Sequence, residues 1–183
     1  MGRSRADKTP VGSGITLRPV TLADLDCFKT WWAEPEANRL DSGVAREAPG
    51  GHFLDEIGRL IIGGGLPTWR MVEAEGAGPV GYALYRGYDR VGKSAEMAIR
   101  IGLEHWGKGY GTAATRLLLD YLFETLRVRR VWLEVVDFNE RAIRMYRKVG
   151  FRETSRIPAQ GDRPGIVTME VRRSSPSDRR RIV

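Results

Sequence analysis

The 183-residue chain contains one cysteine, Cys27, and two histidines, His52 and His105. A single thiol excludes a disulfide framework within the chain, and so few sulfur and imidazole ligands argue against a metal site, so none is expected. No stretch approaches the ~18 to 20 consecutive apolar residues of a membrane span. The first residues also lack an apolar segment followed by a small-residue cleavage site, so the expected location is cytoplasmic, with no membrane partner. Internal repeats are missing, and so is low-complexity sequence outside the two ends.

With 42% hydrophobic and 29% charged residues, the body reads as one globular domain, expected over residues 14–172. The formal net charge of +7 suggests a nucleic-acid partner until it is located along the chain. Arg3, Arg5 and Lys8 stand against Asp7 at one end; Arg172, Arg173, Arg179, Arg180 and Arg181 stand against Asp178 at the other. These segments hold six of the seven net charges, and the body shows no basic stripe interleaved with aromatics. Residues 1–13 and 173–183 are therefore expected to be solvated basic tails, and nucleic-acid contact through them is not expected.

Periodicity indicates a mixed α/β chain. Ile15 to Pro19 reads as a short strand, and Thr21 with Asp24 three positions on opens a helix through Leu25, Phe28 and Trp32. A second helix is expected from Gly51 to Ile62, stopped by Gly63-Gly64-Gly65, with a mobile acceptor loop between the two helices. Thr68 to Ala74 and Val80 to Tyr88 flank a turn signal and read as a hairpin. Ser94 to Ile101 alternates as a strand with Met97, Ile99 and Ile101 on one face. A helix to about Leu126, a strand Val131 to Val136, a helix Asn139 to Val149 and a closing hairpin at 151–157 and 166–171 complete the pattern.

The most informative segment is Trp106-Gly107-Lys108-Gly109-Tyr110-Gly111-Thr112, a glycine loop opening a helix. Glycines permit a sharp turn that exposes consecutive N–H groups, and the helix adds the positive end of its dipole, a combination that binds phosphate. Gly102 to Lys108 fits the nucleotide P-loop spacing, but Gly109 stands where Ser or Thr should hold magnesium. Gly109 to Ala114 fits a dinucleotide fingerprint with Glu134 about twenty residues on. Against that reading, Gly102 to Lys108 separates the loop from the preceding strand, and the motif follows an antiparallel hairpin.

A third reading accounts for the most residues. The loop, followed one helix and one strand later by Asn139-Glu140-Arg141-Ala142-Ile143-Arg144-Met145-Tyr146-Arg147-Lys148-Val149-Gly150-Phe151, resembles the GCN5-related N-acetyltransferase superfamily over roughly residues 68–157. Trp106 replaces the usual Arg or Gln of the loop and resembles the branch that acetylates ribosomal-protein N-termini. The resemblance implies an acyl-CoA N-acyltransferase fold, a mixed and mostly antiparallel sheet with a central split, flanked by helices. It implies acetyl-CoA as donor, with pyrophosphate on the amides of Gly107, Lys108, Gly109, Tyr110, Gly111 and Thr112, beside Trp106. The pantetheine arm is expected along the backbone of Ile99 and Ile101, and Asn139 is expected to contact the cofactor as well as to cap its helix.

Direct transfer to an amine needs a neutral nucleophile and a proton for the departing thiolate. The resemblance puts Tyr146 in the place of the proton donor and Glu134 in that of the base, with Glu96, Asp137 or a water chain as rivals. The implied acceptor is a primary amine: a protein N-terminus, a polyamine, an antibiotic or another small amine. Trp31, Trp32, Trp69, Tyr82, Tyr85 and Tyr88, with Glu34, Glu36, Asp41, Glu47, Asp55 and Glu56, are candidates for its walls. The competing expectation is a non-catalytic acyl-CoA-binding regulatory or adaptor domain. Oligomeric state stays open, a homodimer included.

Overall fold

The structure is a computed structural model that describes residues 11–12, 14–42, 51–63 and 68–173. The expected tails up to residue 10 and from 174, together with Glu47, Gly64 and Gly65, lie outside the described residues. Eight strands form one sheet in the order β1-β2-β3-β4-β5-β6-β8-β7. They are β1 (Val11–Gly12), β2 (Ile15–Pro19), β3 (Trp69–Ala74), β4 (Gly78–Asp89), β5 (Ser94–Ile101), β6 (Arg130–Val136), β7 (Arg152–Ile157) and β8 (Ile166–Arg172). The helices are α1 (Leu25–Trp32), α2 (Pro35–Ser42), α3 (Gly51–Ile62), α4 (Tyr110–Asp120) and α5 (Glu140–Val149).

Among the described strands, β5 and β6 form the one parallel pair, and it is short: Ser94, Ala95 and Glu96 oppose Arg130, Val131 and Trp132. Beyond Glu96 each strand keeps its other neighbour. β5 pairs with β4 as far as Ile101, and β6 pairs with β8 as far as Val136. The two halves of the sheet therefore splay from Met97 and Leu133 onward, and the expected split is present in the middle of the sheet.

Alternation along the strands divides the interior in two. On one face Leu17, Val72, Met97, Leu133 and Met169 pack with Leu118 of α4 and with Ile143 and Tyr146 of α5. On the other, Met71, Tyr82 and Leu84 pack with Phe28, Trp31 and Trp32 of α1 and Ile57 of α3. α4 and α5 thus cover the first face, while α1, α2 and α3 lie on the second.

Three elements differ from the expectation. Residues 35–42, expected within a mobile loop, form α2. Proline opens it, a position where the missing N–H costs nothing. Its residue Asn38 is buried and donates to the Trp32 carbonyl at 2.8 Å. The helix expected to reach Leu126 is α-helical only to Asp120 and continues as a wider π turn over Tyr121–Thr125. Val11–Gly12 adds a two-residue strand antiparallel to Thr16 and Ile15, inside the segment expected as a tail.

Candidate active site

The glycine loop is held open by two residues that only glycine accommodates without strain. Gly107 and Gly109 have φ of +78° and +83°, and Gly109 caps α4 in the left-handed region. Gly111 lies within the helix, where an added Cβ would make ordinary contact with Ile101. The Ala113 N–H closes the first turn onto the Gly109 carbonyl at 3.1 Å. The preceding amides of Tyr110, Gly111 and Thr112 are first-turn donors with no intrahelical acceptor, and all three residues line the cleft. The cleft has a volume of about 920 Å³, ample for a cofactor arm and an acceptor together.

Register shows which backbone groups of β5 are free. Gly102 donates to Val80 at 3.0 Å, so residues 102, 100, 98 and 96 form the bonded pairs with β4. The N–H and C=O groups of Ile99 and Ile101, beyond the last pair with β6 at Glu96, consequently point the other way, into the split. That is the open strand edge expected at Ile99 and Ile101. One of its acceptors is already engaged: the Trp106 indole N–H donates to the Ile101 carbonyl at 2.7 Å.

Asn139 is 6% exposed and caps α5 through its side-chain oxygen, which accepts from the Ala142 N–H at 3.1 Å. Its amide nitrogen donates to the Leu40 carbonyl of α2 at 3.0 Å, tying the two sides of the split together. One amide N–H of this residue then remains for a ligand. Two residues further on, the Arg141 guanidinium covers the Trp106 ring, its carbon 3.2 Å from the centroid. Lys108 is exposed and its side chain does not line the cleft.

Tyr146 projects from α5 through the first core into the cleft, with 6% of its surface exposed. Its ring is fixed edge-on against Phe151, 5.4 Å between centroids. Phe151 is placed in turn by Gly150, whose φ of +108° ends the helix and lets the Phe151 N–H reach back to the Tyr146 carbonyl at 3.0 Å. Burial, with the Asp41 charge adding to it, raises the phenol well above its usual range, so the hydroxyl stays protonated.

On the opposite face of the sheet Glu134 is exposed at the cleft floor and, among the described residues, makes no ion pair or hydrogen bond. Glu96 is bound by the Arg86 guanidinium, which also feels the Glu134 charge. Asp41 opens to the cleft with 43% of its side chain accessible, while Arg100 donates to it at 2.9 Å from behind. Burial nevertheless raises the Asp41 carboxyl. Arg100, at 5% exposure, also donates to Asn38 at 2.9 Å and to the Trp31 carbonyl, and lies 3.7 Å from Glu34. Trp32, Trp69 and Tyr82 supply the aromatic wall, with Trp69 stacked on Tyr82 at 5.2 Å.

Several expected wall residues lie elsewhere. Tyr85 and Tyr88 face the α4 side, where Tyr85 meets Tyr121 at 6.1 Å and the Tyr88 hydroxyl donates to Leu126 at 3.0 Å. Glu36 pairs with Arg39 on the surface, and Asp55 and Glu56 are exposed outside the cleft. Asp137 packs against Gly165, too close for any Cβ there, and does not line the cleft. His105 is 15% exposed, lies 3.1 Å from Glu104 and lines the cleft beside Tyr110. Arg86, Arg100 and Arg141 were not foreseen, because each acts through partners distant in sequence.

Free helix-opening amides, an unpaired strand edge, a protonated phenol and a carboxylate floor meet in one cleft, the arrangement expected of an acyl-CoA-dependent transferase. The family model of the acetyltransferase (GNAT) domain matches residues 15–152. The spermidine N(1)-acetyltransferase of Escherichia coli strain K12 is 43% identical over 152 residues, spanning 78% of this chain and 75% of the relative. An uncharacterized N-acetyltransferase of Bacillus licheniformis is 25% identical over 146 residues, 76% of this chain and 79% of the relative. A solved spermidine N-acetyltransferase of Vibrio cholerae, in complex with CoA and spermine, superposes with a TM-score of 0.75 at 23% identity, covering 88% and 96% of the two chains. The chain belongs to the GNAT acetyltransferase family and is an acetyl-CoA-dependent N-acetyltransferase that acts on an amine. No helix among the described residues is long and apolar enough to cross a membrane, and no cluster of metal-ligating side chains occurs among them.

Proposed function

We propose that the acceptor is a primary amine of an aliphatic polyamine, held between the aromatic wall and the carboxylate floor. The observation that carries this reading is Glu134, a carboxylate without a partner among the described residues, exposed in the cleft where the sheet splits. In the acceptor half, Asp41, Glu96 and Glu134 outnumber Arg86 and Arg100, a balance that favours a cation. Trp32 and Trp69 offer ring surface to its methylene and ammonium groups. Relatives that act on spermidine add support.

Acetyl-CoA supplies a thioester whose carbonyl is open to an amine. Amides of residues 107–112 bind the pyrophosphate, and the β5 edge at Ile99 and Ile101 orients the arm so that its end lies at the split. Glu134 takes the proton an ammonium must lose before it can attack, directly or through water. The neutral amine adds to the thioester carbonyl, the C–N bond forming as the C–S bond breaks. Tyr146 protonates the leaving sulfur from the other face of the sheet and regains a proton from the acylated nitrogen, directly or through water. The same reading places the protein in the cytoplasm.

Thiol release from acetyl-CoA, measured with spermidine, spermine and an N-terminal peptide, tests the acceptor. A kcat/KM for the polyamines at least tenfold above that for the peptide is expected. Preference for the peptide would instead support protein N-termini and overturn the polyamine reading.

A further inference from the structure

Arg141 stands where its charge has no internal use. It is the second residue of α5, a position at the positive end of the helix dipole where acidic side chains are favoured and a cation is opposed. No carboxylate of the described residues comes within ion-pair distance; Asp41 attracts it only from further away. Burial disfavours its charged form further. The residue is exposed, yet its guanidinium is laid over the cleft wall rather than extended into solvent. It lies against the Trp106 ring at 3.2 Å and lines the cleft at the entrance to the glycine loop.

The Trp106 ring is itself immobilised, because its indole N–H is bonded to the Ile101 carbonyl at 2.7 Å. A guanidinium pressed on a fixed ring loses little further freedom when it binds, and its fork matches phosphate oxygens. An anion at the loop would offset the opposed helix dipole and pair a guanidinium already held at the cleft entrance.

We infer that Arg141, braced on Trp106, is a ligand of the CoA pyrophosphate, closing over it from α5 while the α4 amides hold it from below. The loop alone offers neutral N–H donors, and its one cation, Lys108, does not line the cleft. Arg141 provides the countercharge that these amides lack.

Calorimetric titration of the full chain tests this with CoA, with 3′-dephospho-CoA, and with pantetheine as a competitor lacking phosphate. Arg141→Gln is expected to weaken CoA and 3′-dephospho-CoA alike, roughly 10- to 100-fold, as loss of a charge-assisted hydrogen bond implies. Its affinity for pantetheine should stay within twofold of wild type, and Arg141→Lys should recover part of the loss. Three results overturn the inference: a loss under twofold on CoA, an equal loss on pantetheine, which marks a merely structural role, or a loss confined to CoA, which assigns Arg141 to the 3′-phosphate.

Discussion

Replacing Arg100 by methionine should loosen the front wall of the cleft. Arg100 rises from β5 with 5% of its side chain exposed and holds Asn38 and Asp41 of α2, the last carbonyl region of α1 at Trp31, and Glu34 between them. Methionine fills the stem's volume but leaves three acceptors without their donor and Glu34 without its countercharge. Breaking a buried ion pair on one side costs about 3–5 kcal/mol. Asp41 is 43% accessible and can rehydrate, whereas Glu34 is only 13% exposed, so the lower end applies. For a domain of this size each kcal/mol lowers Tm by about 2–4 °C, so a fall of about 6–12 °C is expected. Circular dichroism melting of wild type, Arg100→Met and Arg100→Lys measures it, with lysine expected between the two. A fall under about 2 °C for the methionine variant would refute the view that this guanidinium anchors α1 and α2 to the sheet.

The Asp24 carboxyl is pushed up by its own burial, but Arg18 at 2.7 and 2.8 Å and the Thr21 hydrogen bonds outweigh that and lower its pKa overall. Its contribution is thus fully present above the ordinary aspartate value of about 3.8 and lost as pH falls through the lower native value, so Asp24→Asn should cost about 1.5–3 kcal/mol in urea unfolding at pH 7 and progressively less below pH 4. Gly109→Ala forces an L-residue to φ +83°, so stability should drop by about 1–2 kcal/mol and CoA titration should show weaker binding; unchanged affinity would detach the loop from the cofactor.

Local pattern carried much of the fold. Ser94 to Ile101 was bounded correctly because its alternation separates Met97, Ile99 and Ile101 from Glu96, Ala98 and Arg100 without ambiguity. Gly51 to Ile62 was likewise bounded by its apolar spacing and the glycines after it. α2 was not, although Pro35 is a helix-opening signal, because its eight residues carry little apolar periodicity. Their burial rests on Ala37 and on the polar bonds of Asn38. The loop and cap proposed for the donor half are legible for the same reason: φ-demanding glycines and an Asn cap leave marks in adjacent residues. The acceptor half depends on Arg86 meeting Glu96 across two strands and on Arg100 meeting Asn38, 62 positions away. No window of sequence contains those pairs. Aromatic residues misled for a related reason: Tyr82 and Tyr85 differ only in strand parity, and that parity sends one to the cleft and the other to the α4 core.

The central claim, direct transfer with Tyr146 giving a proton to the leaving sulfur, is tested most directly by single-turnover acetyl transfer to spermidine with wild type and Tyr146→Phe. Phenylalanine keeps the contact with Phe151 and removes only the hydroxyl, so CoA affinity should be preserved. The transfer rate should fall roughly 10²- to 10⁴-fold, the usual worth of a positioned acid. A rate within threefold of wild type at equal cofactor occupancy would contradict the account.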